Sequence, residues 1–378
     1  MTVEGLMRPR VTFVVPCYNL GHLLGECLTS ILTQSFTDLE VLVMDDCSPD
    51  ATPQVAASIA DPRVRHVRNA ENLGHLRNYN AGIAMARGEY VWLISADDRL
   101  RKPYVVERFV EQLDQHPNVG YVFCPVMRFD SHRETTLYGS HGDGDTVFAG
   151  EVFARALARG NSVPAASGLV RRSYYETLGA FPLDLPFAGD WYMWALFALH
   201  GDVGYMAEPM VGWRVHANNM THSFTSRPAA LMRDEILVLV RVRDQARATG
   251  HPDVASVYDD AIVGYYAWRI AAGVGPHGLG RMTPEQLEAS LAEWCHDERE
   301  RERIVGRAYI AFGDVLYASG DHAEALRWYG GALRTGPLSG RTLTKYGLLW
   351  AGRVGQRVRA LIHERKETNP LTDDRIPR

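Results

Sequence analysis

The sequence predicts an α/β fold, a doubly wound and mostly parallel sheet followed by a helical part. Short apolar runs rich in β-branched and aromatic residues alternate with stretches of helical periodicity from Val11 onward, the pattern of successive strand–helix units. Those runs end in polar or acidic residues. The sharpest case is Tyr90–Leu100, YVWLISADDRL, which stops in the adjacent acids Asp97 and Asp98. From about Thr225 the composition shifts to amphipathic helices.

Residues 1–9 read as a flexible arm. Val11–Val15 is a short buried strand, stopped by Pro16-Cys17-Tyr18-Asn19. Leu20, Leu23, Leu24, Cys27, Leu28, Ile31 and Leu32 then share one face of a helix. Leu39–Met44 is a second strand closed by Asp45-Asp46, and Ser48-Pro49-Asp50 opens the next helix with capping chemistry. Val64–Val67 reads as a strand, Leu76–Ala86 as a helix and Tyr90–Ile94 as the fourth strand. Past Pro103, Val105–Leu113 is helical and Val119–Met127 one long strand. Asp130–Thr146 reads as a polar loop overhanging the site. A helix near Glu151–Ala158, a strand near Ala166–Arg171 and a short helix near Tyr174–Leu178 follow. Trp191, Trp194, Ala195 and Ala198 share a helical face, so Asp190 stands at that helix's N-terminus; Gly204–Val215 returns as one or two strands leading to Arg214 and His216.

Leu231–Ala248, Val254–Ala272, Pro284–Cys295 and Glu302–Ser319 carry helical periodicity, with a break at Pro276–Gly280. A boundary near residues 222–228 divides a domain over 10–224 from a helical domain over 225–378. Within the latter, Tyr309, Phe312, Gly313, Leu316, Gly320, Ala325, Tyr329, Ala332 and Pro337 match a tetratricopeptide repeat, predicting a hairpin at about 306–339. One repeat cannot form a solenoid, so packing is its expected role, with peptide binding the lesser alternative. The last helix sets Arg353, Arg357, Arg359, Arg365 and Lys366 around an apolar stripe; a solvated basic face is the plainer reading, contact with an anionic membrane the alternative.

A chain of 378 residues exceeds the usual single core, which makes two domains the expectation. Its net charge of −5 with 22% charged residues gives no reason to expect nucleic acid. No apolar stretch reaches the roughly 18 residues of a membrane span, and MTVEGLMRPR lacks the apolar core of a secretory signal. The expected placement is cytoplasmic, peripheral at the inner face of the membrane if the last helix rests there. Five cysteines without CxxC spacing argue against disulfides and a thiolate zinc site.

Ligands of open α/β sheets bind at the carboxyl ends of the strands. That edge gathers Tyr18, Asp45, Arg77, Asp97 and Asp98. A nucleotide needs such parts: an aromatic face for the base, an acceptor for its imide, a cation for phosphate and a metal for the diphosphate. No GxGxxG follows the first strand and GxxxxGK[ST] is absent, so dinucleotide and P-loop sites are excluded. The plainer reading makes Asp97 or Asp98, and likewise Asp190, simple helix caps. Asp46 and Asp50 read as turn and cap residues.

Together VTFVVPCYN, LEVLVMDDCSPD, NLGHLRNYNAGIAMARGEYVWLISADD and LGAFPLDLPFAGDWYMW resemble the inverting family 2 glycosyltransferases, whose GT-A fold is a Rossmann-like nucleotide-diphospho-sugar transferase sheet. The resemblance covers roughly residues 10–220 and rests on four motifs in the same order. It implies that Tyr18 packs against the donor base, that Asp45 accepts from the base, and that Arg77 lies near base or phosphate. Pro16, Asn72 and Ser95 complete the implied nucleotide site. Asp97 and Asp98 would hold the ribose and a divalent cation, Mn²⁺ or Mg²⁺, with His216 reaching the metal or the diphosphate and Arg214 a phosphate contact. Asp190 would be the general base. One departure matters: Ser95 stands where the family usually has an acid, leaving two carboxylates to balance a metal.

Direct displacement at an anomeric carbon needs one base for the acceptor's proton and charge stabilisation for the leaving diphosphate, unlike the two carboxylates of a glycosidase. The expected partners are a UDP-, GDP- or TDP-linked sugar and a glycan, lipid-linked or small-molecule acceptor, with a second copy of the chain as a further partner. A sugar-phosphate nucleotidyltransferase is the rival enzyme, and would want a basic Gly-rich loop where this chain has PCYNLG. The rival of another class is an inactive sugar-binding or scaffold protein.

Overall fold

The computed structural model describes residues 8–130, 133–216, 219, 227–271, 284–292, 295–335 and 340–351. The strand–helix units are β1 (Val11–Cys17), α1 (Gly21–Leu32), β2 (Leu39–Asp45), α2 (Thr52–Ser58), β3 (Val64–Arg68), α3 (His75–Met85) and β4 (Tyr90–Leu93). β1 pairs in parallel with both β2 and β4, and β2 with β3. Every residue of β1 and β2 is buried, as expected of apolar runs without alternation. The polar members are paired: Thr12 donates to Glu40 at 2.7 Å, and the Arg87 guanidinium donates to Glu40 at 2.8 Å. Gly82 lets α3 lie against the sheet, since a Cβ there would fall 2.4 Å from Val14 Cγ1.

Then come β5 (Arg99–Leu100), α4 (Val105–Gln115), β6 (Val119–Phe123), β7 (Val126–Phe129), β8 (Glu134–Tyr138), β9 (Thr146–Phe148), α5 (Gly150–Leu157), β10 (Leu169–Arg171), α6 (Arg172–Leu178), α7 (Gly189–Ala198), β11 (Asp202–Tyr205) and β12 (Val211–Arg214). The large sheet runs β3-β2-β1-β4-β10-β6-β11-β9, with β10 antiparallel between β4 and β6. A second sheet runs β5-β12-β7-β8.

Two expectations change here. The single strand over Val119–Met127 is two strands in different sheets, because Pro125 has no N–H to extend the first ladder. The loop expected over Asp130–Thr146 contains β8, an edge strand whose residues are all exposed and so show no alternation of burial.

The helical part comprises α8 (Pro228–Ala248), α9 (Pro252–Ala271), α10 (Pro284–Ala292), α11 (Glu298–Ala318), α12 (His322–Thr335) and α13 (Gly340–Trp350). Packing divides the chain between Tyr258 and Asp259. In the first unit α8 packs on α7, so the opening helix of the later sequence joins the α/β body. In the second unit α11 and α12 form a hairpin, with Trp328 packed against Tyr309 and Phe312 at ring separations of 5.3 and 4.4 Å. Gly313 is required there, since a Cβ would fall 2.6 Å from the Tyr329 ring. Pro337, the break at Pro276–Gly280, the basic last helix and residues 1–7 of the arm lie outside the described residues. Among the described residues no helix is long and apolar enough to cross a membrane.

Candidate active site

The carboxyl ends of β1 and β4 open into a cavity of about 990 Å³. Of the residues singled out in the sequence, Pro16, Tyr18, Asn72, Ser95, Asp97, Asp98 and Asp190 wall it. Tyr18 follows β1 and is 50% exposed, an aromatic face held open at the sheet edge. Asn72 accepts from the Gly74 N–H at 3.0 Å, which ties it to the loop before α3.

Asp45 and Arg77 are not among the walls. Asp45 is fully buried and its oxygens are engaged: Ser48 N–H donates at 2.8 Å, Arg68 at 2.6 Å, and the His66 ring stands at 3.2 Å. Burial raises its pKa, but those hydrogen bonds outweigh it and hold the carboxyl below its ordinary value. Arg77 is exposed on α3, whereas His75, Leu76, Asn78 and Tyr79 of the same helix wall the cavity. Asp46 accepts from Asn69 and the Leu73 N–H at 2.8 Å and from the Gly74 N–H at 3.0 Å, while Asp50 accepts from the Gly21 N–H at 2.9 Å and the Thr52 hydroxyl at 2.6 Å. Both order turns.

The acids after β4 are different. Asp97 Oδ2 stands 3.0 Å from His216 Nε2 and accepts from Asn219 at 3.3 Å, but Asp97 Oδ1 is buried without a hydrogen-bond partner. Asp98 accepts the Arg214 N–H at 3.0 Å. Burial, and then the charge of Asp97, push the Asp98 carboxyl well above its ordinary range. Arg214 is committed elsewhere: its Nε donates to the Asp97 carbonyl at 2.9 Å and its Nη2 to Glu26. Burial opposes ionisation of Glu26, but Arg99 and Arg214 outweigh it and lower its pKa. Arg214 thus holds the Asp98 carboxylate with its main-chain N–H and the Asp97 main chain with its guanidinium.

Among the described residues no three His, Cys, Asp or Glu side chains form a ready metal cluster. Two clustered carboxylates, one with an orphaned buried oxygen, nonetheless fit a hard cation that takes its remaining ligands from a diphosphate and water.

Asp190 is in the first turn of α7, whose N-cap is Ala188, so it is not the cap itself. Its Oδ1 accepts the Trp191 N–H at 2.8 Å and its Oδ2 accepts from Asn161 at 2.8 Å. Burial raises its pKa, while these two bonds oppose the rise. A carboxylate of raised basicity on a cavity wall is suited to take a proton.

Sequence reasoning missed Asn161, Tyr79 and the aromatic rim of Tyr138 and Trp213, all in the wall. Tyr79 is held in its phenol form by burial and by the charges of Asp97, Asp190 and Asp98. Its signal was available, since it lies one helical turn beyond His75 in NLGHLRNYN. Asn161 sits in a connection without periodicity and carried none. Leu231 and Glu235 of α8 are also in the wall, although the later sequence gave no sign of a site.

Residues 12–178 match the model of the family described as Glycosyl transferase family 2. That stretch is a family 2 glycosyltransferase domain. The match ends before Asp190, Arg214 and His216. This chain is 42% identical over 106 residues to "Succinoglycan biosynthesis protein ExoO" of Rhizobium meliloti, covering 28% of this chain and 30% of that protein. It is 25% identical over 217 residues to an uncharacterized glycosyltransferase of Haemophilus influenzae, covering 56% of this chain and 67% of that one. The chain thus spans 30% to 67% of the length of these two relatives. Among solved structures, S. aureus TarS 1-349 in complex with UDP-GlcNAc superposes with a TM-score of 0.57 at 15% identity, covering 90% of each chain. The fold is GT-A: a mixed α/β body with a mostly parallel central sheet and helices at its C-terminal end.

Proposed function

We propose that this chain transfers a sugar from a nucleoside diphosphate to a hydroxyl or other nucleophilic acceptor, by direct displacement with inversion and with a divalent cation at Asp97 and Asp98. The observation that carries the reading is the unpartnered, buried Asp97 Oδ1 beside the buried acid Asp98, in the same cavity as Asp190. His216 and Asn219 occupy Asp97 Oδ2 and so aim Oδ1 away from them. A cation bound there, Mn²⁺ or Mg²⁺, would neutralise charge building on the leaving diphosphate. Tyr18 offers a face to the base, with Pro16 and Asn72 beside it, and Ser95 a hydroxyl to the ribose. Asp190 takes the acceptor's proton as the new bond forms and the bond to the diphosphate breaks.

The TarS structure contains UDP-GlcNAc, which makes UDP-sugars the first donors to try. Thermal melting with UDP, GDP and TDP, with and without Mn²⁺, tests the reading: a ligand bound only by the folded state raises the melting temperature. A metal-dependent rise with at least one nucleotide is expected. No rise with any of the three would remove the donor site and favour a scaffold protein. The product anomer, read by NMR, is expected to be inverted; a retained anomer overturns direct displacement.

We assign the transferase part to about residue 224 and the helical part from 225 onward to acceptor presentation or to contact with a second copy. Leu231 and Glu235 in the cavity wall support the former role for α8.

A further inference from the structure

The rim of the cavity beside Asp190 is aromatic. Tyr138, at the end of β8, and Trp213, on β12, both wall it, with ring centroids 5.9 Å apart and planes inclined at 52°. The Tyr138 hydroxyl donates to the Asn161 carbonyl at 2.9 Å, and the Asn161 amide donates to Asp190 at 2.8 Å. Two rings and the carboxylate are therefore held in one frame. Tyr138 remains 39% exposed despite its size. An open aromatic face next to fixed polar groups suits a ligand with one apolar face and a hydroxylated edge. A pyranose has that shape: axial C–H groups on a face of the ring and hydroxyls around its edge.

Positive charge packs against this rim, although Arg128 is not itself among the cavity walls. Arg128, in register with Trp213 on the neighbouring strand, holds its guanidinium 5.0 Å from the Trp213 ring centroid. Its Nε is buried without a hydrogen-bond partner, and among the described residues no carboxylate pairs with it. A half-buried arginine without an anion is uncommon unless a ligand supplies one.

We infer that Tyr138 and Trp213 form the acceptor subsite, that the acceptor presents a pyranose ring to them, and that Arg128 favours a ring bearing a carboxylate or phosphate. This rests on the transfer reading above and names its acceptor class. Asn161 acts through Asp190 and is a positioning residue.

Saturation-transfer NMR on the full chain, with UDP, GDP or TDP and Mg²⁺ present, tests it. The probes are the methyl glycosides of glucose, galactose, mannose, N-acetylglucosamine and glucuronic acid, with glucose 6-phosphate. Ring C–H protons of at least one sugar should be saturated, and those of the acidic sugars more than those of methyl glucoside. Trp213→Ala and Tyr138→Ala should each weaken the sugar signal by about fivefold, with nucleotide signal and melting temperature retained. Tyr138 is on an edge strand, so its variant serves if Trp213→Ala fails to fold. Arg128→Gln should abolish the preference for acidic rings. Nucleotide binding without any sugar signal, or sugar signals unchanged in both aromatic variants, overturns the subsite. Loss of nucleotide from a folded Trp213→Ala also overturns it, because the corner then holds the donor. Equal signals from glucoside and glucuronide in the wild type remove the role of Arg128. Failure of the transfer reading is separately visible, as absence of nucleotide signal in the same tube.

Discussion

Two pairs of adjacent aspartates end two strands that flank β1: Asp45-Asp46 after β2, and Asp97-Asp98 after β4. The first pair is saturated, with both Asp45 oxygens and both Asp46 oxygens accepting hydrogen bonds. The second is under-bonded, with one Asp97 oxygen orphaned and Asp98 pushed well above the carboxylate range by burial and by Asp97. Both pairs look alike in sequence and sit at equivalent edges. Saturated acids hold the loops in place; the orphaned Asp97 oxygen keeps bonding capacity for a ligand at a cost in stability.

The largest expected effect breaks the under-bonded pair. Asp97→Asn should lower turnover by about 10³-fold and remove the Mn²⁺-dependent part of the nucleotide melting shift. Folding should be little changed, because the substitution weakens the contact with His216 but also removes the charge that Asp97 sets beside Asp98. Full activity of Asp97→Asn, or of the wild type in EDTA, would take the metal out of the mechanism.

Asp190→Asn should follow at about 10²-fold or more in turnover, the scale of a lost general base. The nucleotide melting shift should stay within error of the wild type. A parallel loss of nucleotide binding would make Asp190 a structural acid.

Asp45→Asn tests the saturated pair and should affect stability more than chemistry. Its folded pKa is lowered, so its contribution is present above the unfolded value and fades as pH falls through the folded one. The variant should lose about 1–3 kcal/mol at neutral pH by denaturant titration, and the gap should narrow in acid. Nucleotide affinity should stay within a few-fold. A variant that melts normally but no longer binds nucleotide would restore Asp45 to the base contact that the family resemblance implies.

What was legible in the sequence follows the same divide. The strands of the large sheet near β1 were readable because each is a buried apolar run with a polar stop, and pattern alone reports burial. That Asp97, Asp98 and Asp190 share a cavity wall was readable only as far as they end such runs or open a helix. The side of α3 that faces the cavity was not: Arg77 drew attention as a cation, yet the helix turns it outward and presents Tyr79. β8 was hidden because all its residues are exposed, leaving no burial period to read. Leu231 and Glu235 reach the wall because α8 packs on α7, a long-range contact with no local signature.

The smallest effect is also the most discriminating, because it separates basicity from placement at Asp190. Burial raises the Asp190 pKa, and the hydrogen bond from Asn161 opposes that rise by favouring the ionised form. Asn161→Ala removes the bond, so the folded pKa should climb further. A general base works ionised, hence the acid limb of the kcat profile should move to higher pH. Turnover should fall by about tenfold on that limb and return towards the wild-type value on the alkaline side. Stability has the matching sign. A carboxyl whose folded pKa is raised destabilises the fold where it is charged, and the cost is relieved as pH falls through that pKa, so the variant's deficit should shrink in acid. The Tyr138 bond goes to the Asn161 main chain and survives the substitution, leaving the aromatic rim as a control. A uniform drop in kcat across the whole pH range would show that Asn161 only places the carboxylate, and that its charge balance is set by the N–H groups at the start of α7.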